Sequence, residues 1–284
     1  MPKTQNRRRG LIAAFFISVT AGVSLPMVNV LKMFTPAELL VVRGILTALI
    51  ALIVTRGNVR ITDRSTVGVA LTMPLAALGL YEGSRAWGTI PTIILITATP
   101  VVNFLISVCA GKKVYLSTVA GLAAVIGGVI VAGWHTRFSA AGLGWSLFGA
   151  FFNGIMYEFL PRAKAEPYQR CFWACLGIGV VGMLFSLHAS WTGLSQPLPL
   201  ALLVLFAFVG GFLYWMSNVI AFDELPKDEA SVLAQGETIA VIIGAILMAH
   251  EHLTALQLIG IIVAIGGVIH VGRSVPKNQE AVPR

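Results

Sequence analysis

Apolar residues run in long uninterrupted blocks along this chain, and Lys, Arg, Asp, Glu and Pro gather in the short stretches between them. Each block approaches the roughly 20 residues of helix that cross a bilayer core. The blocks predict helices over 10–30, 36–55, 67–86, 89–110, 115–133, 142–160, 170–188, 199–222, 229–249 and 254–272. The expected fold is therefore an all-α integral membrane protein with ten transmembrane helices.

Composition narrows the picture. Of 284 residues, 57% are hydrophobic and only 11% charged, against roughly 25% charged in soluble domains. A water-soluble domain is excluded, and the loops leave no room for a sizeable extramembrane one. Lys3, Arg7, Arg8 and Arg9 before the apolar run from Leu11 resemble a signal peptide. That run reaches about residue 30, too long for a signal h-region, and no small-residue cleavage pattern follows. It reads as a retained first helix.

The formal charge of +8 would suggest nucleic acid in a soluble protein, but its placement makes it topological. With ten crossings, 16 of the 20 Lys and Arg residues fall on one side, Lys32, Arg85 and Arg137 on the other, and Arg43 inside the second helix. A missed or additional helix would mix these charges. By the positive-inside rule both termini are cytoplasmic and the protein is multi-pass in a cytoplasmic (inner) membrane. Its surroundings are the lipid bilayer, with no nucleic-acid partner.

The segment from Gly121 to Ile130 recurs from Gly260 to Ile269 at an offset of 139, with six of ten positions identical. Ala14-Phe15-Phe16 and Ala150-Phe151-Phe152 open two halves in a comparable way. The organisation is then a basic tail (1–9), a first five-helix repeat (10–133), a second (142–272) and a C-terminal tail (273–284). Five is odd, so the second copy enters from the opposite face. Inverted repeats of this kind build secondary transporters with a midplane substrate site.

With Gly121-x5-Gly127-Gly128, Gly260-x5-Gly266-Gly267, the run Ala230-Ser-Val-Leu-Ala-Gln-Gly-Glu-Thr and His250-Glu251-His252-Leu253-Thr254 on the page, the chain resembles the EamA-type drug/metabolite transporter superfamily. It looks most like the YddG-type aromatic amino acid exporters. Lys112-Lys113 departs from the pattern, since such proteins often carry an acidic residue before the fifth helix. The resemblance implies export of a small metabolite, an aromatic or apolar amino acid.

Polar groups within membrane helices are costly and usually face protein or a water-filled cavity. Thr92, Thr99 and Asn103 form a stripe on the fourth helix; Ser231, Gln235 and Thr238 form another on the ninth. The offset of 139 superposes Thr92 on Ser231 and Thr99 on Thr238. They are expected to face each other across a pathway and bind substrate, or else to bond backbone carbonyls and pack helices. Tyr214, Trp215 and Asn218 lie inside the eighth helix, where an aromatic ring could stack on substrate.

Arg43 and Glu237 are the deepest ionisable residues, and the helical face of Glu237 suggests a structural ion pair with Arg43 or a coupling carboxylate. Glu82 and Arg85 are spaced as a surface pair. Pro26, Pro74 and Pro100 are candidate hinges, and Pro100 leaves the Ile96 carbonyl without its helical partner. Gly79 and Gly83 form a GxxxG pair for packing within a monomer or a weak homodimer.

No phosphate loop, HExxH helix or GxSxG elbow is present, so no cofactor or metal is expected and transport would draw on gradients. His250-Glu251-His252 reads as a hydrated outer turn. Cys109, Cys171 and Cys175 read as core thiols. The expected function is a non-enzymatic secondary transporter working by alternating access through a mostly neutral cavity. The rivals are a proton-coupled drug/metabolite antiporter, an intramembrane lipid-modifying enzyme, for which the scattered histidines offer no cluster, and a membrane scaffold.

Overall fold

The computed structural model describes residues 6–61, 63–109, 111, 115–133, 139–187, 191, 194, 196–225, 233 and 236–274. Helices dominate, with no strand among the described residues. They are α1 (Arg7–Val30), α2 (Pro36–Val54), α3 (Arg64–Trp87), α4 (Thr89–Ile96), α5 (Thr99–Cys109), α6 (Leu116–Gly133), α7 (Ala140–Phe159), α8 (Pro167–Phe185), α9 (Pro197–Phe206), α10 (Tyr214–Glu224), α11 (Gly236–Met248) and α12 (Ala255–Ser274). Among the described residues, seven stretches are long and apolar enough to cross a membrane.

Caps and prolines set the starts. Thr35 and Glu38 close a capping box around α2, with Pro36 in the first turn, which satisfies orphan N–H groups reciprocally. Asp63 and Ser139 cap α3 and α7. Thr254 and Gln257 exchange bonds at the start of α12. Gly88 holds φ at +108° between α3 and α4, a conformation that suits glycine.

Two expected helices are interrupted. The 89–110 run breaks at Thr97-Ala98 into α4 and α5, just before Pro100. That proline cannot donate to the Ile96 carbonyl, and the Thr99 hydroxyl donates to it instead at 2.7 Å. The eighth run is longer than 199–222, from Pro197 to Glu224, and winds into a π-helix over Ala207–Leu213. Of the ninth run, 229–249, the structure describes residue 233 and α11.

Packing pairs α6 with α12, α3 with α7 and α8, α2 with α8, and α1 with α11 and α10. Phe15, Ile53, Leu116, Leu184 and Leu247 are exposed, an outer surface suited to lipid and costly in water. The chain is thus a multi-pass membrane protein, with Arg43, Thr47, Thr92 and Asn218 among the polar groups buried in its interior.

Candidate functional site

Arg43 is the one charged residue in the body of α2, and it is only 3% exposed. Its Nη1 donates a short hydrogen bond to the Tyr81 hydroxyl of α3. Its guanidinium carbon lies 5.5 Å from the Tyr81 ring centroid and 5.7 Å from that of Tyr214, within cation–π range. On the far side the Tyr214 hydroxyl reaches Glu237, at 3.2 Å from each carboxylate oxygen. Four side chains from α2, α3, α10 and α11 thus form one polar junction, buried at Arg43 and Tyr81 and half-buried at Tyr214 and Glu237.

The π-helix shapes its wall. A π turn leaves carbonyls out of register with their usual donors, and Thr47 on α2 donates to the Ala207 carbonyl at 3.4 Å. Gly211 lies so close that a Cβ there would run into Thr47 Oγ1 and stand 3.2 Å from Arg43 Cγ. Gly210 is pressed against Ser24 of α1 in the same way. The unwinding therefore brings a bare stretch of backbone onto α1 and α2 one turn before Tyr214.

Trp215 is 1% exposed, and its indole nitrogen has no hydrogen-bond partner among the described residues. It packs in the core, whereas Tyr214 points to the polar junction. Asn218 is buried and donates to the Tyr214 carbonyl at 3.1 Å, so its amide is held within its own helix.

Arg43 and Glu237, candidates for an ion pair or a coupling site, make no direct salt bridge among the described residues: each charge is hydrogen-bonded to a tyrosine, and Tyr214 touches both. The helical face of Glu237 was legible, but the reach of a tyrosine from a third helix was not. Glu82 and Arg85 interact electrostatically but form no salt bridge among the described residues. Arg85 instead donates to the carbonyls of Val28, Leu31, Lys32 and Phe34 where α1 ends, a favoured place for a cation.

The first hydroxyl stripe faces α7. Thr92 accepts from Ser146 at 3.2 Å, and Thr99 accepts from Asn153 at 3.3 Å while it serves the Ile96 carbonyl. Asn103 lies beside Gly154, its Oδ1 buried and without a partner among the described residues. Thr238 is buried in α11, while Ser231 and Gln235 lie outside the described residues. The stripe expected to look across a pathway looks at α7.

Pro26 and Pro74 act as a matched pair. Proline at position i frees the carbonyl at i−4, here those of Gly22 and Ala70. A Cβ on Gly244 of α11 would collide with the Gly22 carbonyl, and one on Gly177 of α8 with that of Ala70. Each glycine also lies against its proline ring, at 3.0 Å for Pro26 and 2.8 Å for Pro74 from the position of a Cβ. Both prolines are wedged against a neighbouring helix at a glycine. The Gly79 and Gly83 faces are filled by α7, through Gly149 and Ser146.

At one end of the bundle Glu251 accepts from the backbone N–H groups of Thr89 and Ile90 at 2.8 and 2.9 Å, and from Asn29 at 3.3 Å. It is no merely hydrated turn: it supplies the N-terminus of α4 with the acceptors that a helix start leaves wanting. At the other end Arg170 pairs with Asp223 at 2.5 Å, and Arg9 with Glu224 at 3.5 Å. No cluster of three His, Cys, Asp or Glu residues suited to a metal occurs among the described residues. The junction offers charge, hydroxyls and ring faces, the means of binding.

Comparison with known proteins bears on the second half most directly. Residues 140–273 match the model of the EamA-like transporter family. A crystal structure superposes with a TM-score of 0.67 at 12% identity, covering 93% of this chain and 98% of its own, which is a likeness of fold. No curated protein matches the chain.

Proposed function

We propose, with the EamA-like match over residues 140–273 as premise, that this chain is a secondary transporter built from two inverted five-helix halves. It exports small metabolites, amino acids with aromatic or apolar side chains, by alternating access. The subtype follows the resemblance to the YddG-type exporters. The observation that carries the reading is the polar junction: Arg43 and Tyr81 come from the first half, Tyr214 and Glu237 from the second. A charged site set between both halves is what rocking halves would expose alternately.

Packing supports the ten-pass scheme when α4 with α5, and α9 with α10, each count as one pass. Exchanging first-half helices with their second-half counterparts turns the α1–α11 contact into that of α7 with α4 and α5, and the α3–α7 contact into that of α10 with α1. All of these contacts occur. The α6–α12 contact maps onto itself residue by residue. Gly128 abuts Gly260 and Ala264, while Gly267 abuts Gly121 and Val125, and the offset of 139 converts one set into the other. Such reciprocity is the mark of a two-fold interface. The charge bias supports cytoplasmic termini and an inner-membrane location.

A second reading, proton-coupled drug or metabolite antiport, is favoured by the carboxylate of Glu237 turning inward to Tyr214. Counterflow of labelled amino acids in liposomes containing the purified protein, with and without an imposed proton gradient, tests both. Saturable exchange of aromatic or apolar amino acids that ignores the gradient is the expected result. Gradient dependence selects antiport, and absence of flux for every amino acid overturns the export reading.

A further inference from the structure

We propose that Arg43 and Glu237 are the two poles of a zwitterion site, Arg43 taking the carboxylate and Glu237 the ammonium group of an α-amino acid. The inference rests on the transporter reading and names the chemistry by which that same junction recognises its cargo.

A buried cation is costly unless an anion and further hydrogen bonds compensate it. Arg43 has five N–H donors. One contact goes to the Tyr81 hydroxyl, the flanking groups are ring faces, and Nε is buried without a partner among the described residues. A planar guanidinium fork is matched by a carboxylate, which it binds through two parallel hydrogen bonds.

Glu237 is held loosely. Both of its oxygens lie 3.2 Å from the Tyr214 hydroxyl, longer than the roughly 2.5–2.7 Å of a strong O–H···O⁻ bond. An ammonium group would make shorter, charge-assisted bonds there. The chain could have neutralised both charges in one ion pair, yet it interposes Tyr214. Opposite charges kept apart suit a ligand that carries both.

The walls suit the rest of such a ligand. The Tyr81 ring lies 5.9 Å from that of Phe206, the bare backbone of Gly211 lies beside Arg43, and the Tyr214 ring borders both poles. Rings of this kind pack well on aromatic or apolar side chains. Because neither half supplies both charges, the two halves close on a zwitterion together.

Phenylalanine is the probe, with phenylalanine amide, which lacks the carboxylate, and 3-phenylpropionate, which lacks the ammonium group, as analogues. Competition is read as counterflow in liposomes, and binding separately as thermal stabilisation of the detergent-purified protein. Each analogue should compete and stabilise roughly 10- to 100-fold more weakly than phenylalanine, the ratio for one lost charge-assisted hydrogen bond. In Arg43→Lys, phenylalanine should weaken while the amide does not; in Glu237→Gln, phenylalanine should weaken while 3-phenylpropionate does not.

An amide or phenylpropionate that competes as well as phenylalanine overturns the proposal even if both variants fail to fold. Flux without discrimination removes the zwitterion site and leaves the transporter reading. Discriminating stabilisation without flux does the reverse. Neither stabilisation nor flux with phenylalanine or leucine overturns both.

Discussion

Single side chains here owe their roles to backbone groups that proline or charge leaves in need. Thr99 is the clearest case, because its hydroxyl serves the carbonyl that Pro100 strands and also receives Asn153. Thr99→Val should lower thermal stability in detergent by about 1 kcal/mol, the scale of hydrogen bonds between membrane helices, and leave flux intact. Tyr81→Phe removes the only hydroxyl bonded to Arg43 among the described residues. It should cost about 2 kcal/mol, as expected for a hydrogen bond to a charged group. A stability scan that ranks the two in the opposite order would contradict these assignments. Arg43 and Glu237 stand out in the sequence as charges in apolar runs, and Tyr214 as an aromatic inside a helix. Tyr81 does not, since tyrosine is common in apolar helices and its link to Arg43 is a tertiary fact.

At the scale of elements, glycine and proline positions decide how the helices meet. Gly128 and Gly267 abut backbone across the α6–α12 contact, whereas a Cβ on their neighbours Gly127 and Gly266 would meet nothing within 4 Å. Gly128→Ala and Gly267→Ala should each destabilise by about 1–3 kcal/mol through overpacking, and to a similar extent because each abuts backbone of the other helix. Gly127→Ala and Gly266→Ala should be neutral or slightly stabilising, given alanine's higher helix propensity. Unfolding of the four variants in one detergent checks this, and equal effects within each adjacent pair would refute it. Gly244→Ala and Gly177→Ala should destabilise similarly, because each adds a methyl group against a carbonyl freed by proline. Apolar periodicity makes the helices themselves readable. The π-helix over Ala207–Leu213 and the break at Thr97-Ala98 are not readable, because periodicity is blind to a one-residue change in winding. Pro100 and Gly210-Gly211 are the only local hints.

On the scale of the whole molecule, the sequence carries the membrane character through composition, while the repeat at 139 and the bias of loop charge are its grounds for the proposed halves and orientation. The packing of one half against the other is what it withholds. The hydroxyl stripe of Thr92, Thr99 and Asn103 turned out to lie on α7 because helical phase states which residues share a face and not what that face meets. The polar junction sits instead where α2, α3, α10 and α11 converge. Labelling of single cysteines placed at Arg56 and Lys32 should find the first protected from an impermeant thiol reagent in intact cells and the second modified, following the positive-inside orientation. The reverse pattern would invert the topology.

On the proposed reading, solute crosses through the Arg43–Glu237 junction and not along the hydroxyl stripe. Phenylalanine counterflow through wild type, Arg43→Lys, Glu237→Gln and Thr99→Val in matched liposomes tests it most directly. Thr99→Val should retain exchange while both charge variants lose it by about tenfold or more, the equivalent of roughly 1.4 kcal/mol or greater. Exchange abolished by Thr99→Val at unchanged stability, with Arg43→Lys and Glu237→Gln as active as wild type, would contradict it.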